Sequence, residues 1–173
     1  CGMERLLVYV ATEPAFVHQL LHGISDYVLQ TVEILLSRFP FDGIALSDDY
    51  GTQRSLLMSP RSWRRFIKPR LAEIFGRAKA ADKVVFLHSC GNVRAVVPDL
   101  IELGLDMLHP IQPEAMDIDG LKQEFGDRLT FCGGLGTQKM LVEASPDEVR
   151  AEVARLKRTL GRGGGYVLEP GIT

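Results

Sequence analysis

Short apolar runs, each followed by a polar turn and then by a segment of helical period, recur along the whole chain with no linker or low-complexity break. This alternation constrains the fold more than any other feature. Parallel neighbours need crossover connections, and helices are the usual crossovers. The runs read as strands at 6–12 (LLVYVAT), 42–49 (DGIALSDD), 83–90 (KVVFLHSC), 105–112 (LDMLHPIQ), 128–135 (RLTFCGGL) and 165–171 (GYVLEPG). Between them the periodicity predicts helices over 15–38, from 59 onward with a break at Pro69, over 94–103, near 118–125 and over 145–160. The last is the best marked. Ser145, Pro146 and Glu148 supply an N-cap, a first-turn proline and an N3 glutamate, and Val149, Val153, Leu156 and Leu160 follow at helical spacing.

The strands are nearly continuous apolar runs, so both faces of the sheet are expected to be covered. A doubly wound sheet and a (β/α)₈ barrel both satisfy this, and in both the functional residues sit at the carboxyl ends of the strands. Asp48, Asp49, His88, Cys90, Gln112, Cys132 and Glu169 lie at those ends. With 173 residues, 46% hydrophobic and 24% charged, the chain is expected to form one domain over 1–173. A net charge of −2 removes the electrostatic reason to expect nucleic acid. No apolar run approaches the roughly 20 residues that span a bilayer. Three cysteines do not suggest a disulfide framework, so a reducing cytoplasm is the expected setting.

The segment VVFLHSCGNV, 84–93, carries the sharpest chemical signal. Alternation along a strand puts Val84, Phe86, His88 and Cys90 on one face, with His88 and Cys90 roughly 6.5 Å apart at Cα. Imidazole and thiolate are both zinc ligands, and a catalytic zinc site uses three protein ligands with one position open. The plainer reading is a buried strand that ends in two polarisable side chains. His18 and His22 fit a surface or structural role, and His109 fits a packed, hydrogen-bonded one. Cys132 fits a small core residue. Gly161 to Tyr166 (GRGGGY) fits a C-cap and tight turn, whereas CGGLGTQ at 132–138 can bring backbone close to a substrate.

The blocks DGIALSDDYGTQRSLLMSPRSWRRFIKPRL, VVFLHSCGNV, IELGLDMLHPIQPEA, LTFCGGLGTQ and GGGYVLEP together resemble the uroporphyrinogen decarboxylase superfamily. The resemblance implies a TIM barrel, of which this chain would supply the carboxyl-terminal two-thirds. It implies an enzyme, most closely the zinc-dependent branch that transfers methyl groups between a methylcorrinoid protein or other methylated substrate and a thiol or corrinoid acceptor. That branch carries a His-x-Cys pair at a strand end, matched by His88 and Cys90. Its third ligand is a cysteine just after the last strand, where this chain reads Pro170-Gly171-Ile172. Glu169 is the nearest residue able to ligate, with Cys132 in reserve. The alternatives are a decarboxylase of porphyrin biosynthesis, in which Asp48 and Asp49 would steady a cationic pyrrole, and a truncated barrel that serves as a binding scaffold.

The remaining site expectations rest on placement. Asp48 and Asp49 end their strand at the barrel mouth, and only one of the two can face the cavity, where it would orient substrate or a ligating histidine. Gln112 and Gln138 are expected to hydrogen-bond a substrate, since glutamine cannot move protons. The expected partners are a small-molecule substrate, a corrinoid protein and, as an assembly, further copies of the chain.

Overall fold

A computed structural model describes residues 2–171. Five parallel strands, β1 (Gly43–Ser47), β2 (Val84–His88), β3 (Met107–Ile111), β4 (Thr130–Leu135) and β5 (Tyr166–Pro170), form one sheet in the order β1-β2-β3-β4-β5. Spatial order equals chain order. The helices are α1 (Met3–Thr12), α2 (Pro14–Arg38), α3 (Pro60–Phe66), α4 (Lys68–Ala80), α5 (Val97–Glu102), α6 (Ile118–Phe125), α7 (Met140–Glu143) and α8 (Pro146–Thr159), with a 3-10 turn over Arg94–Val96 ahead of α5. This is part of a (β/α) barrel.

Five of the six expected strands form where the apolar runs place them. The sixth, 6–12, is helix α1. Met3, Leu6, Leu7 and Val10 are spaced i, i+3, i+4 and i+7, and that stripe is helical although its composition favours a strand. The break at Pro69 is real: Ile67 ends α3, and α4 restarts with Pro69 in its first turn, where a missing N–H costs nothing. The Ser145 capping box is present in full.

Burial alternates along β1 and β2, whereas β3 and β4 are buried at nearly every position. Ile44, Val85, Leu87, Leu108 and Phe131 point outward and are buried under Phe75 and Ala78 of α4, Val97 and Leu100 of α5, Leu121 and Phe125 of α6, and Leu156 of α8 in one continuous core. The opposite face, which lines the inside of the barrel, is less covered. Val84 there is 41% exposed, and Val167 on β5 is 43% exposed. Among the described residues, strands β1 and β5 each have a single partner, so the sheet ends in two unpaired edges.

An ion cluster centred on the buried Asp99 braces the helical layer. Arg64 of α3 donates from Nε and Nη2 to the Asp99 carboxylate at 2.9–3.0 Å, and Lys68 Nζ donates to the same group at 2.9 Å and to Glu102 at 2.7 Å. Asp99 is buried, and the Arg64 and Lys68 hydrogen bonds hold its carboxyl below the ordinary carboxylate range against the opposing effect of burial.

Candidate metal centre

The site is built from backbone before it is built from side chains. Strand β1 continues its pairing with β2 past the end of the ladder. Asp48 N–H donates to the His88 carbonyl at 3.0 Å, Tyr50 N–H to Ser89 Oγ at 2.9 Å, Gly51 N–H to the Cys90 carbonyl at 3.2 Å, and Asn92 N–H to the Thr52 carbonyl at 2.7 Å. The two loops run in backbone contact. A Cβ on Gly91 would stand 2.4 Å from the Gly51 carbonyl carbon, and Gly91 has φ +81°. Only glycine fits this crossing at that dihedral. From β3, the buried Gln112 accepts the Gly91 N–H on Oε1 at 2.6 Å and pins the turn from below.

This scaffold brings three ligand-type atoms together. Asp49 Oδ1, His88 Nε2 and Cys90 Sγ all lie within 4.8 Å of one another. Cys90 Sγ is 3.5 Å from His88 Nε2, and Asp49 Oδ1 is 3.6 Å from the same nitrogen. A tetrahedral ion with bonds of about 2.0–2.3 Å holds its ligand atoms roughly 3.3–3.8 Å apart. An oxygen, a nitrogen and a sulfur at these spacings fit zinc in kind and in separation. Asp49 also accepts the Cys90 N–H at 2.8 Å, which fixes the carboxylate beside the thiol. Desolvation, and then the charge of Asp49, push the Cys90 thiol up from its ordinary value.

The two aspartates differ in their partners. Asp49 joins His88 and Cys90. Asp48 lies beside Tyr50, where desolvation raises its carboxyl despite the Tyr50 hydroxyl. Both aspartates line a mostly apolar cavity of about 490 Å³ between α1, α2 and α4, with Leu7, Ile24, Trp63 and Ile67 among its walls.

Glu169 stands elsewhere than expected. Instead of joining His88 and Cys90, its Oε1 lies 3.0 Å from Nε2 of His109. Strand β5 is three strands away from β2, whereas β1 is adjacent to it, and adjacency decides which carboxylate reaches the pair. Cys132 is buried away from the cluster, and desolvation followed by the charge of Glu169 pushes its thiol up to about 11. Gln112 works as an internal anchor through Gly91. Gln138 is exposed and donates through Nε2 to Gln53 Oε1 at 2.9 Å, while its N–H donates to Glu114 Oε1 at 3.0 Å, so it ties three mouth loops together.

One residue of the site had no chemical role in the sequence reading. His109 sits opposite His88 in the β2–β3 register, and its Nδ1 is 2.8 Å from His88 Nδ1. The available signal was that both histidines end consecutive strands, but the register that aligns them is not written in either segment alone.

A parallel β/α array whose strand ends gather histidine, cysteine and aspartate is a partial barrel with a candidate metal centre at its carboxyl end. The chain belongs to the uroporphyrinogen decarboxylase (URO-D) family, whose model matches residues 1–173. A methylcobamide:CoM methyltransferase (MtaA) of Methanosarcina barkeri is 29% identical over 130 residues, covering 75% of this chain and 35% of the relative. A uroporphyrinogen decarboxylase of Methylococcus capsulatus is 27% identical over 165 residues, covering 92% of this chain and 43% of the relative. The chain thus spans less than half the length of these curated relatives. Among solved structures, a methyltransferase from Methanosarcina mazei superposes with a TM-score of 0.75 at 24% identity over 98% of this chain and 47% of its own. A dihydropteroate synthase from Anaplasma phagocytophilum superposes with a TM-score of 0.53 at 16% identity, covering 86% and 62% of the two chains. Both likenesses speak for the fold.

Proposed function

We propose that this chain carries the metal-binding end of a zinc-dependent methyltransferase, which moves a methyl group between a methylcorrinoid protein or other methylated substrate and a thiol or corrinoid acceptor. The observation that carries this reading is the convergence of Asp49, His88 and Cys90 at the strand ends. Support for methyl transfer in particular comes from the relative named for that reaction.

Asp49, His88 and Cys90 would hold zinc, with Asp49 in the place expected of Glu169. Three protein ligands leave one tetrahedral position for an exogenous group. Zinc bound there would lower the pKa of a coordinated thiol so that it reacts as the thiolate at neutral pH. The protein's own contribution is rigidity: Gln112 and the Gly51–Gly91 crossing keep the Cys90 turn from opening, and the Asp49 bond to Cys90 N–H prevents the carboxylate from swinging away. A ligand cysteine must stay reduced, which agrees with a cytoplasmic setting. The partners in this reading are a small-molecule substrate and a corrinoid-bearing protein.

The test is zinc content of the intact protein purified without chelator, wild type against Cys90→Ser. About one ion per chain is expected in the wild type and near none in the variant, with methyl transfer from methylcobalamin to coenzyme M lost in parallel. The decarboxylation reading, which the second relative's name supports, has no need of the Cys90 thiol. Zinc-free wild-type protein that consumes uroporphyrinogen, with Cys90→Ser as active, would replace the methyltransferase reading by that one.

A further inference from the structure

We infer that His109 is a positioning residue for His88, holding the proton on His88 Nδ1 so that Nε2 presents its lone pair to the Asp49–Cys90 site. The inference rests on the metal-site reading above and adds to it a chain of contacts through the buried His109 that runs from β5 to β2.

The geometry is specific. His88 Nε2 is the ring atom that faces Asp49 and Cys90, at 3.6 and 3.5 Å. A nitrogen that ligates a metal carries no proton, so a neutral His88 in that role must be protonated on Nδ1. The atom 2.8 Å from that nitrogen is His109 Nδ1. Two ring nitrogens at this distance share one proton, one donating and the other accepting. If His88 donates, His109 accepts on Nδ1 and carries its own proton on Nε2. Glu169 Oε1 is 3.0 Å from His109 Nε2, set off the hydrogen-bonding direction, and that nitrogen has no hydrogen-bond partner. The negative charge of Glu169 therefore favours the proton on Nε2 of His109, and hence the accepting lone pair on Nδ1. The polarity of the chain is set from Glu169 toward Asp49.

The surroundings fix the ring in place. His109 is 4% exposed and stacks on Phe86 at 5.5 Å between centroids, and the backbone N–H of Ser89 donates to the His109 carbonyl at 2.7 Å. Ligating histidines are ordinarily oriented by a partner on the second nitrogen, and loss of that partner lowers metal affinity about 10–100-fold. A histidine that merely fills space would not need to place Nδ1 against the ligand's own second nitrogen.

Two measurements on the intact protein decide it. The first is histidine-selective 15N NMR of the metal-free wild type at a pH where His88 is neutral. His88 should be protonated on Nδ1, the less favoured tautomer of histidine in water; a proton on Nε2 overturns the inference, and needs no variant to fold. The second is zinc affinity by chelator competition, with the cobalt-substituted visible spectrum, for wild type, His109→Leu and His109→Asn. Asparagine keeps an acceptor near the Nδ1 position. His109→Leu should bind zinc about 10–100-fold more weakly with altered cobalt bands, and His109→Asn should recover most of that loss. Wild-type affinity and spectrum in folded His109→Leu would overturn the inference while leaving the metal site standing. A wild type that binds neither metal would overturn the metal-site reading, and with it the positioning role.

Discussion

Asp48 and Asp49 are neighbours in the chain, but only Asp49 joins the cluster with His88 and Cys90, and the contrast makes a direct test. Asp49→Ala removes an oxygen that lies among the ligand atoms, and zinc affinity should fall at least about 10-fold, whereas Asp48→Ala should leave it unchanged. Isothermal titration of both variants checks this, and equal losses would mean that the site is misassigned. Gly91→Ala tests the crossing beneath them. Its φ of +81° and the 2.4 Å approach to Gly51 leave no room for a methyl group, so destabilisation of roughly 2 kcal/mol or more is expected in urea melts, together with loss of metal binding. The pairing of His88 with Cys90 was legible because a strand has period two and both sit on one face. That Asp49 rather than Glu169 lies beside them was not, because it depends on which strand lies next to β2. The role of Gln112 was also hidden: its type says that it makes hydrogen bonds, and only the fold says that it makes one to Gly91.

The α3–α5 brace shows how far helix-level features can be read and tested. Asp99 accepts from Arg64 and Lys68 in a buried setting, so Asp99→Ala should lower stability by about 1–3 kcal/mol. The pH dependence has a definite sign. The Asp99 carboxyl is held below its ordinary value of 3.8 in the folded state. Its contribution is therefore full above that value and disappears as pH falls through the lower folded one. Urea melts of wild type and Asp99→Asn should converge at acid pH and separate toward neutrality; curves that stay parallel throughout would show that the brace is inert. Helices at 118–125 and 145–160 were readable because caps and periodicity agree, with Asp117 and Ser145 both accepting at their N-termini. Segment 6–12 was not, because seven apolar or β-branched residues say little about period when the flanks are ignored. The four-residue α7 offers too few residues to carry a pattern.

The unpaired edges of β1 and β5 govern how the polypeptide behaves as a whole. Unpaired strand edges are templates for further pairing. The 1–173 polypeptide on its own should therefore associate at micromolar concentrations, and sedimentation velocity should show species heavier than the 19.2 kDa chain. A sharp monomer at all concentrations would show that the edges are protected. Native-state hydrogen exchange should be slowest in β2, β3 and β4, which have partners on both sides, and faster in β1 and β5. The alternation of strands and helices foretold the parallel array. That the inner face stays partly uncovered was not foretold, since it depends on what lies across the sheet. The match between chain order and spatial order has one more consequence, which concerns assembly. Every strand pairs with the one made immediately before it. Each β/α unit can therefore dock against its predecessor without waiting for distant sequence, and the Asp49–His88–Cys90 cluster draws on the first two strands and their loops alone, whereas His109 and Glu169 come from later strands.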